Sequence, residues 1–262
     1  MRGPRRRKVL VWGDWSAIEA RVLPWLAASR SAEKCKLSLF RKGEDVYKHT
    51  AASIFETDVG KVDKAQRQIG KVGDLSLGFG GSVGAFKGMA RNYQNPITGL
   101  PMKFTDDQAL TIVRGWRAAN PWGPRFWDEL KGAALNALRM PGMSFTAGRV
   151  EYAFEQKLLG GSLLVFLPCG RPLLYPRCAI RQVEDKRTKE KRDVLCYWHG
   201  EGWRKMWHGL LAENITQGFA ASILRATLAE EFIRGSCVAH THDEIVIETF
   251  DDEAAEAGKT LH

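Results

Sequence analysis

Apolar positions near the start of the chain predict a strand followed by a helix. The run from Lys8 to Trp12 (KVLVW) is apolar at consecutive positions, which predicts a strand buried on both faces or at a sheet centre. From Ala17 the apolar residues recur at three- and four-residue spacing, which predicts a helix kinked at Pro24. Asp14 therefore follows directly after the predicted strand. The apolar side of the helix consists of Ile18, Val22, Trp25 and Leu26.

The middle of the chain has mainly helical periodicity. Residues from about Asp45 to Arg91 are predicted to be helical, with breaks at the glycines between positions 78 and 84. The composition of Asn92 to Pro101 (NYQNPITGLP) is typical of a loop. Two further helices are predicted over Thr105 to Arg117 and over Trp122 to Arg139.

The last part of the chain combines strands, a helix and a hairpin. Short apolar segments between Met143 and Pro176 predict strands, and Arg181 to Arg192 is predicted to be a charged hairpin tip or loop. Leu210 to Arg234 is predicted to be one long helix. Its buried side is predicted to consist of Ile215, Phe219, Ile223 and Ala226. This element order fits an antiparallel α+β sheet with a helical insertion, not a βαβ series.

The closing hairpin carries charge at its tip. In Cys237 to Glu248 (CVAHTHDEIVIE), two short alternating apolar runs flank a polar centre. Asn-Gly or Asp-Gly would suit a tight turn better than His242-Asp243-Glu244. One interpretation is a solvated turn, and the other is a site for a divalent metal. This stretch alone does not decide between them.

The composition excludes several classes of protein. With 262 residues, 44% of them apolar, the chain fits one or two globular domains. No apolar run reaches the roughly 18 residues of a membrane span, and Val9 to Trp12 is too short for a signal peptide. Five cysteines at irregular spacing favour a reducing cytoplasm over a disulfide framework. A zinc site is disfavoured because its candidate ligands lack a Cys-x-x-Cys pair. Those candidates are Cys169, Cys178, Cys196 and His199.

The charge balance is basic. Lysine plus arginine outnumber aspartate plus glutamate by 39 to 30, which gives a net charge of +9 and a pI near 9.4. This excess favours a polyanionic partner, although a soluble basic protein without one is the alternative. Five of the first eight residues are basic.

One helical segment concentrates cations on a single face. Lys64, Arg67 and Lys71 are three and four residues apart, and Leu75 and Phe79 continue the line at four-residue steps. Such a stripe could grip a triphosphate and stack on a base. The alternative is a solvated basic face above the edge of the core.

The stretch GDWSAIEARVL also has two interpretations. Asp14, at a strand end, could be a rigidly held carboxylate or a charge that favours the following helix dipole. Ser16 with Glu19 three residues later has the signature of a capping box.

Taken together, these segments resemble the family A (DNA polymerase I-like) DNA polymerases. GDWSAIEARVL is similar to motif A of that family, and Arg67, Lys71 and Phe79-Gly80 are similar to motif B. His242-Asp243-Glu244 is similar to motif C, and the three occur in the family's order. Weaker similarities are Glu44 to Tyr47 (EDVY) and Asn214 to Gly218 (NITQG). The segments LPCGRPLLYPR and GLLAENITQGFA resemble the phage and prophage branch.

The resemblance implies a two-metal centre. Asp14 and Asp243 would meet in space and bind two Mg²⁺ ions, for which Mn²⁺ could substitute. Divalent cations relieve the repulsion between two carboxylates at one site. The Trp15 carbonyl would add a backbone ligand, Glu244 would support the site, and His242 would lie near the primer end.

The resemblance also implies contacts with the nucleotide. Arg67 and Lys71 would bind the triphosphate, with Lys71 also a catalytic residue, and Phe79 would stack near the templating base. Tyr47, where many relatives have His, could touch the same phosphates. Glu19 would exclude ribonucleotides from the space beside the sugar.

Two more positions complete the implied nucleotide and DNA contacts. Leu75 stands where the family places Phe or Tyr, so the sugar discrimination linked to that position is in doubt. Gln217, with Asn214 nearby on the same helix, would contact the primer–template.

The implied architecture is a palm with a helical fingers insertion. The antiparallel palm sheet would be built from residues 1–40 and 141–262, and the fingers from residues 41–140. Family members carry a thumb, and often an exonuclease domain, before motif A, whereas thirteen residues precede Asp14 here. We therefore expect a chain without thumb and exonuclease domains. It would be a fragment, a mis-started reading frame, or a chain whose missing parts another chain supplies.

The function that the resemblance implies is template-directed DNA synthesis. The partners would be primer–template DNA and deoxynucleoside triphosphates, in the cytoplasm of a bacterial or phage-infected cell, without a membrane. The alternatives are a truncated, non-catalytic nucleic-acid-binding remnant, a single-subunit RNA polymerase-like enzyme and, more distantly, a two-metal nuclease. Glu19 and the glutamate of His-Asp-Glu favour DNA synthesis over RNA synthesis.

Overall fold

The computed structural model describes residues 6–184 and 189–261. Within these ranges the chain divides into two compact units. One is formed by residues up to 18 together with those from 217 onward, and the other by residues 19–216. The palm and fingers boundaries expected from the sequence remain a prediction.

The described strands are β1 (Lys8–Asp14), β2 (Ser144–Ala147), β3 (Val150–Glu155), β4 (Ser162–Phe166), β5 (Pro172–Tyr175), β6 (Ala179–Glu184), β7 (Lys191–His199), β8 (Gly202–Lys205), β9 (Cys237–Thr241) and β10 (Glu244–Phe250). The described α-helices are α1 (Ile18–Ala27), α2 (Arg30–Ala32), α3 (Ser38–Arg41), α4 (Val46–Ile54), α5 (Lys64–Leu77), α6 (Val83–Ala90), α7 (Asp106–Ala119), α8 (Trp122–Arg139), α9 (His208–Ala229), α10 (Glu231–Ser236) and α11 (Ala254–Thr260). A π-helix (Glu33–Leu37) links α2 to α3, and short 3₁₀ turns span Val59–Lys61 and Asp251–Glu253.

The sheet of the first unit is antiparallel, with strand order β1-β10-β9. The prediction that β1 is buried on both faces or central is wrong. Among the described strands β1 lies at the sheet edge, with Leu10 57% and Trp12 71% exposed. The core covers the opposite face, where Val11 packs against Ile245 and Ile247. A continuous apolar run therefore predicted the strand but not its surroundings.

Helices cover this inner face of the sheet. Ile233, Ile245, Ile247 and Ala257 form the buried cluster, and Leu224 and Leu228 of α9 pack against it. The predicted buried side of α9 is thus only partly right: Ile215 is buried, but Phe219 and Ile223 are half-buried and Ala226 is exposed. The predicted single helix is also interrupted at Glu230, whose ψ of 136° lies outside the helical range.

The second unit joins a helical bundle to two antiparallel sheets. Helix α5 packs against α4, α6 and α7, and α8 lies on β2 and β3 of the sheet β2-β3-β4-β5. The other sheet has the order β6-β7-β8. The α+β prediction with antiparallel sheets and a helical middle is confirmed. Residues 181–192 were predicted to be a charged hairpin tip or loop. Their flanks, 181–184 and 191–192, belong to the antiparallel strands β6 and β7, and residues 185–188 lie outside the described ranges.

A glycine allows α5 to approach α4 closely. A Cβ added at Gly70 would lie 2.2 Å from the carbonyl oxygen of Tyr47 and 3.0 Å from the backbone nitrogen of Ala51. No side chain fits at such a separation, so the two helices touch backbone to backbone at this point. The approach brings the start of α5 alongside the start of α4.

Gly70→Ala should therefore force α4 and α5 apart and destabilise the protein by about 1–3 kcal/mol. Gly88→Ala is the matched control, because Gly88 is also helical and a Cβ there meets no heavy atom within 4 Å. The control should gain about 0.5–1 kcal/mol from helix propensity. Urea denaturation measures both. Equal effects of the two substitutions would contradict the close approach.

Candidate active site

The turn between β9 and β10 holds two residues of the candidate site. His242 and Asp243 form the two-residue connection, and His242 has a φ of 48°. A tight hairpin turn needs positive φ, which histidine tolerates better than β-branched residues do. The hairpin therefore forms without the Asn-Gly or Asp-Gly pair that favours such turns. His242 is exposed, and Asp243 and Glu244 are half-buried.

The strand register brings Asp14 to this turn. Asp14 is the cross-strand partner of Glu244, and the backbone N–H of Trp15 donates to the carbonyl oxygen of Asp243 at 3.0 Å. The indole of Trp15 packs against the core cluster beneath the sheet and so anchors the chain just after Asp14. Partial burial, and then the nearby charge of Asp243, raise the pKa of Asp14. The expected meeting of the two aspartates is thus present within the first unit.

Asp14 and Asp243 fit a divalent cation. Carboxylate oxygens are hard donors, and Mg²⁺ is typically bound through one or two carboxylates together with substrate phosphates. The raised pKa of Asp14 records an electrostatic cost that a cation would offset. Across residues 6–184 and 189–261, no group of three or more His, Cys, Asp or Glu is placed to hold a metal.

The chain leaves β1 through a sharp turn. The backbone N–H of Ser16 donates to the Asp14 carbonyl at 2.9 Å, and that of Ile18 donates to the Trp15 carbonyl at 3.1 Å. Ala17 has a φ of 56°, so α1 begins at Ile18. The predicted helix start at Ala17 is therefore wrong by one residue. Glu19 lies in the first turn of α1.

Arg67 of α5 is held by the residue that caps α4. Its Nε donates to Asp45 at 2.6 Å, and Asp45 also accepts from the backbone N–H groups of Tyr47 and Lys48. Burial opposes ionisation of Asp45, but the Arg67 hydrogen bond and these backbone bonds outweigh it and lower its pKa. The guanidinium carbon of Arg67 lies 5.5 Å from the centre of the Tyr47 ring. Burial and the nearby Asp74 charge raise the pKa of Tyr47 to about 12.

The other residues of motif B follow along α5 and its end. Lys71 lies 5.8 Å from the centre of the Tyr93 ring. Leu75 and Phe79 are half-buried. Gly80 has a φ of 77°, and a Cβ there would lie 2.6 Å from His208, so a larger residue would be both strained and obstructed. The indole N–H of Trp127 donates to the Gly78 carbonyl at 2.9 Å and fixes the end of the helix.

A buried carboxylate on α5, Asp74, was missed by the sequence analysis. Lys36 of the π-helix donates to both of its oxygens, at 2.7 and 2.8 Å. Thr50 of α4 donates to it at 3.0 Å and the Trp116 indole of α7 at 2.7 Å. The side chains of Lys36 and Asp74 are 5% and 4% exposed. The available signal in the sequence was an acidic residue between apolar neighbours of a helix. Such a position indicates that the buried carboxylate has a compensating partner but does not identify that partner.

The expected DNA contacts on α9 remain predictions. The amide of Asn214 donates to the Tyr175 hydroxyl at 2.8 Å, so part of its hydrogen-bonding capacity is used within the fold. Gln217 is exposed.

The chain resembles several DNA polymerases in sequence. It is 31% identical over 240 residues to the DNA polymerase of Bacillus phage SP02, which covers 90% of this chain and 34% of that protein. It is 28% identical over 123 residues to DNA polymerase I of Aquifex aeolicus, covering 46% of this chain and 20% of that protein. It is 23% identical over 255 residues to the thermostable DNA polymerase I of Thermus filiformis, covering 95% of this chain and 23% of that protein. No family model matches the chain.

The chain is a homologue of phage and bacterial DNA polymerases. It spans about a third or less of the length of these relatives. The polymerase fold is also present in three dimensions. The structure of the POL domain of Pol1 from M. smegmatis, in complex with DNA primer-template and dNTP, has a TM-score of 0.60 at 15% identity. The match covers 99% of this chain and 36% of that one. The family A resemblance and the expected fold class are confirmed. Separately, no helix among the described residues is long and apolar enough to cross a membrane.

In this polymerase homologue, Asp74→Leu should destabilise the second unit by about 3–5 kcal/mol, because Lys36 would keep a buried, uncompensated charge. The double variant Lys36→Met, Asp74→Leu should recover much of that loss, because it removes both charges. Urea denaturation of the parent, both single variants and the double variant measures the coupling. Additive losses would mean that the two side chains do not depend on each other.

Proposed function

We propose that the chain is a module of a DNA-directed DNA polymerase that adds deoxynucleotides to a primer 3′ end. The observation that carries the proposal is the pairing of Asp14 and Asp243 at the end of β1 in a homologue of DNA polymerases. The proposal places residues 1–40 and 141–262 in the palm and 41–140 in the fingers. Its substrates are primer–template DNA and deoxynucleoside triphosphates.

Asp14 and Asp243 hold the catalytic Mg²⁺ ions in this proposal, with the Trp15 carbonyl as a further ligand. When bound there, two such ions would supply the positive charge that favours activation of the primer hydroxyl and departure of pyrophosphate. The chain's own contribution is to keep two carboxylates adjacent although they repel, through the β1–β10 register and the anchored Trp15 indole. Glu244 is the cross-strand partner of Asp14 and supports it from the neighbouring strand. His242 lies near the primer end.

Arg67 and Lys71 bind the triphosphate. Asp45 engages Nε of Arg67, so the terminal nitrogens of the guanidinium would hold phosphate oxygens. Lys71 is one helical turn further along the same face and supplies a second positive charge. Together they counter the charge that builds on the phosphate oxygens during transfer. Tyr47, which lies under Arg67, contributes to the same subsite.

The remaining residues set selectivity and hold DNA. Phe79 stacks near the templating base, and Leu75 fills the position linked to sugar discrimination. Glu19 excludes ribonucleotides. Asn214 and Gln217 of α9 contact the primer–template.

A primer-extension assay with purified protein, Mg²⁺ and the four deoxynucleotides tests the proposal. Asp14→Asn and Asp243→Asn should each abolish extension, because each removes a negative ligand while preserving side-chain shape. Asp251→Asn is the matched control, since Asp251 is an exposed aspartate of the same unit. It should extend primers like the parent chain.

Two results would count against this assignment. Extension by the Asp14→Asn or Asp243→Asn variant at the parent rate would remove that aspartate from the metal centre. Absence of extension by the parent chain, under conditions where it is folded, would favour the non-catalytic remnant.

Arg67→Ala and Lys71→Ala should lower kcat/KM for deoxynucleotides, by about 2–4 kcal/mol in transition-state stabilisation each. Lys61→Ala is the control, because Lys61 is an exposed cation just before α5 that pairs with Asp58 at 3.0 Å. Steady-state kinetics with varied deoxynucleotide measures the effect, and melting curves separate it from lost stability. Parent-like kcat/KM in both α5 variants would exclude this helix from nucleotide binding.

A further inference from the structure

The sheet β6-β7-β8 has one face rich in arginine and tryptophan. Directly paired residues of antiparallel strands point to the same side of the sheet, as do residues two apart in one strand. Trp198 pairs with Trp203. Cys196, two residues before Trp198, pairs with Ala179 and Lys205, so all these residues share one side. Arg181, two residues after Ala179, therefore lies on this side as well. We call this side of the sheet the arginine–tryptophan face. It consists of Arg181, Trp198, Trp203 and Lys205, together with Arg177, whose guanidinium stacks on the Trp198 ring.

Two arginines of this face are held over aromatic rings. The guanidinium carbon of Arg181 lies 4.4 Å from the centre of the Trp203 ring, and that of Arg177 lies 5.3 Å from the Trp198 ring. The two indoles meet edge to face, with centroids 5.7 Å apart. Within the described residues neither arginine forms an ion pair with a carboxylate. Their positions are thus fixed by ring contacts, which leaves hydrogen-bond donors for a ligand.

The face carries positive charge on three exposed side chains. Arg177, Arg181 and Lys205 are exposed, and Trp203 is 37% exposed. In the described parts of the three strands, no Asp or Glu alternates onto this side. The opposite side holds the buried Leu195 and the half-buried Tyr197, whose ring meets Tyr175 at 5.2 Å, and it also carries the exposed Arg204.

We propose that the arginine–tryptophan face binds single-stranded DNA. Cations matched to phosphates and aromatic or guanidinium planes matched to unpaired bases are the combination that recognises a single strand without sequence preference. A duplex offers the same phosphates but keeps its bases stacked inside, so this face should distinguish the two. The inference goes beyond the proposed function, because it needs neither the aspartate pair nor the α5 cations.

Fluorescence anisotropy with a labelled oligo(dT) of about 12 nucleotides, within the usual site size of such surfaces, tests the proposal on the whole chain. Arg181→Gln and Arg204→Gln are a matched pair, since both are exposed arginines of one sheet on opposite sides. Arg181→Gln should weaken binding and make the salt dependence shallower by roughly 0.7 in the log–log slope. Arg204→Gln should leave the slope unchanged.

Trp203 tests the stacking part of the proposal. Trp203→Ala should weaken oligo(dT) binding about tenfold, and Trp203→Phe should restore most of it because the ring is kept. A duplex of the same length should show a much smaller loss in both variants. Melting curves establish that each variant is folded, and the comparison of Arg181→Gln with Arg204→Gln serves as the readout if Trp203→Ala is not.

Three results would overturn the inference: equal effects of Arg181→Gln and Arg204→Gln, parent-like oligo(dT) binding by a folded Trp203→Ala variant, or equal losses on duplex and single strand. The aspartate variants keep this test separate from the proposed function. Asp14→Asn should bind oligo(dT) like the parent although it does not extend a primer. A parent chain that binds oligo(dT) at this face but never extends a primer would refute the polymerase proposal alone.

Discussion

The buried Asp74 carboxylate is the interaction on which the helical part of this protein depends. A charged side chain that is only 4% exposed destabilises the fold unless it is paired and hydrogen-bonded. The Asp74 carboxylate accepts hydrogen bonds from Lys36, Thr50 and Trp116. These partners come from the π-helix, α4 and α7, so one side chain of α5 ties together four elements. The orientation of α5, and hence of Arg67 and Lys71, follows from this network and from the backbone contact at Gly70.

The carboxylate of Asp14 has the opposite environment. Burial and the adjacent Asp243 charge raise its pKa, so the folded state holds a proton on Asp14 more tightly than the unfolded chain does. Stability therefore falls as pH rises through this pKa, which marks the aspartate pair as a cost to the fold. The β1–β10 register and the packing of the partly buried Trp15 against the core cluster offset that cost. One acidic residue serves stability, whereas the other is kept in spite of it, as is common at functional sites.

Local patterns predicted the elements better than their surroundings. The apolar period alone predicts α7 to within about two residues at each end, and in the structure a capping box between Thr105 and Gln108 fixes its start. The same reasoning failed for the burial of β1 and the inner side of α9, because those depend on which face the cluster of Ile245 and Ile247 covers. The periodicity within one segment does not show which of its faces will be covered by residues far away in the chain.

The candidate site was predictable only in part, and for a related reason. The pairing of Asp14 with Asp243, 229 residues later, came from motif resemblance, since no local rule joins them. Asp74 was missed because its role in stability depends on the ion pair with Lys36, which is 38 residues away and belongs to no motif. The start of α1 was predicted one residue early because the left-handed conformation of Ala17 places the first helical residue at Ile18.

Asp45 connects the architecture of α4 to the proposed chemistry of α5. Its carboxylate satisfies two backbone N–H groups at the start of α4 and binds Nε of Arg67. One acid thus stabilises a helix terminus and orients the guanidinium whose remaining donors would meet phosphate. Lysine at position 67 could not serve both partners in this way, because its ammonium lacks the planar fork that engages two groups from fixed directions. The constraint on position 67 is therefore geometric as well as electrostatic, and it originates in the cap of a neighbouring helix.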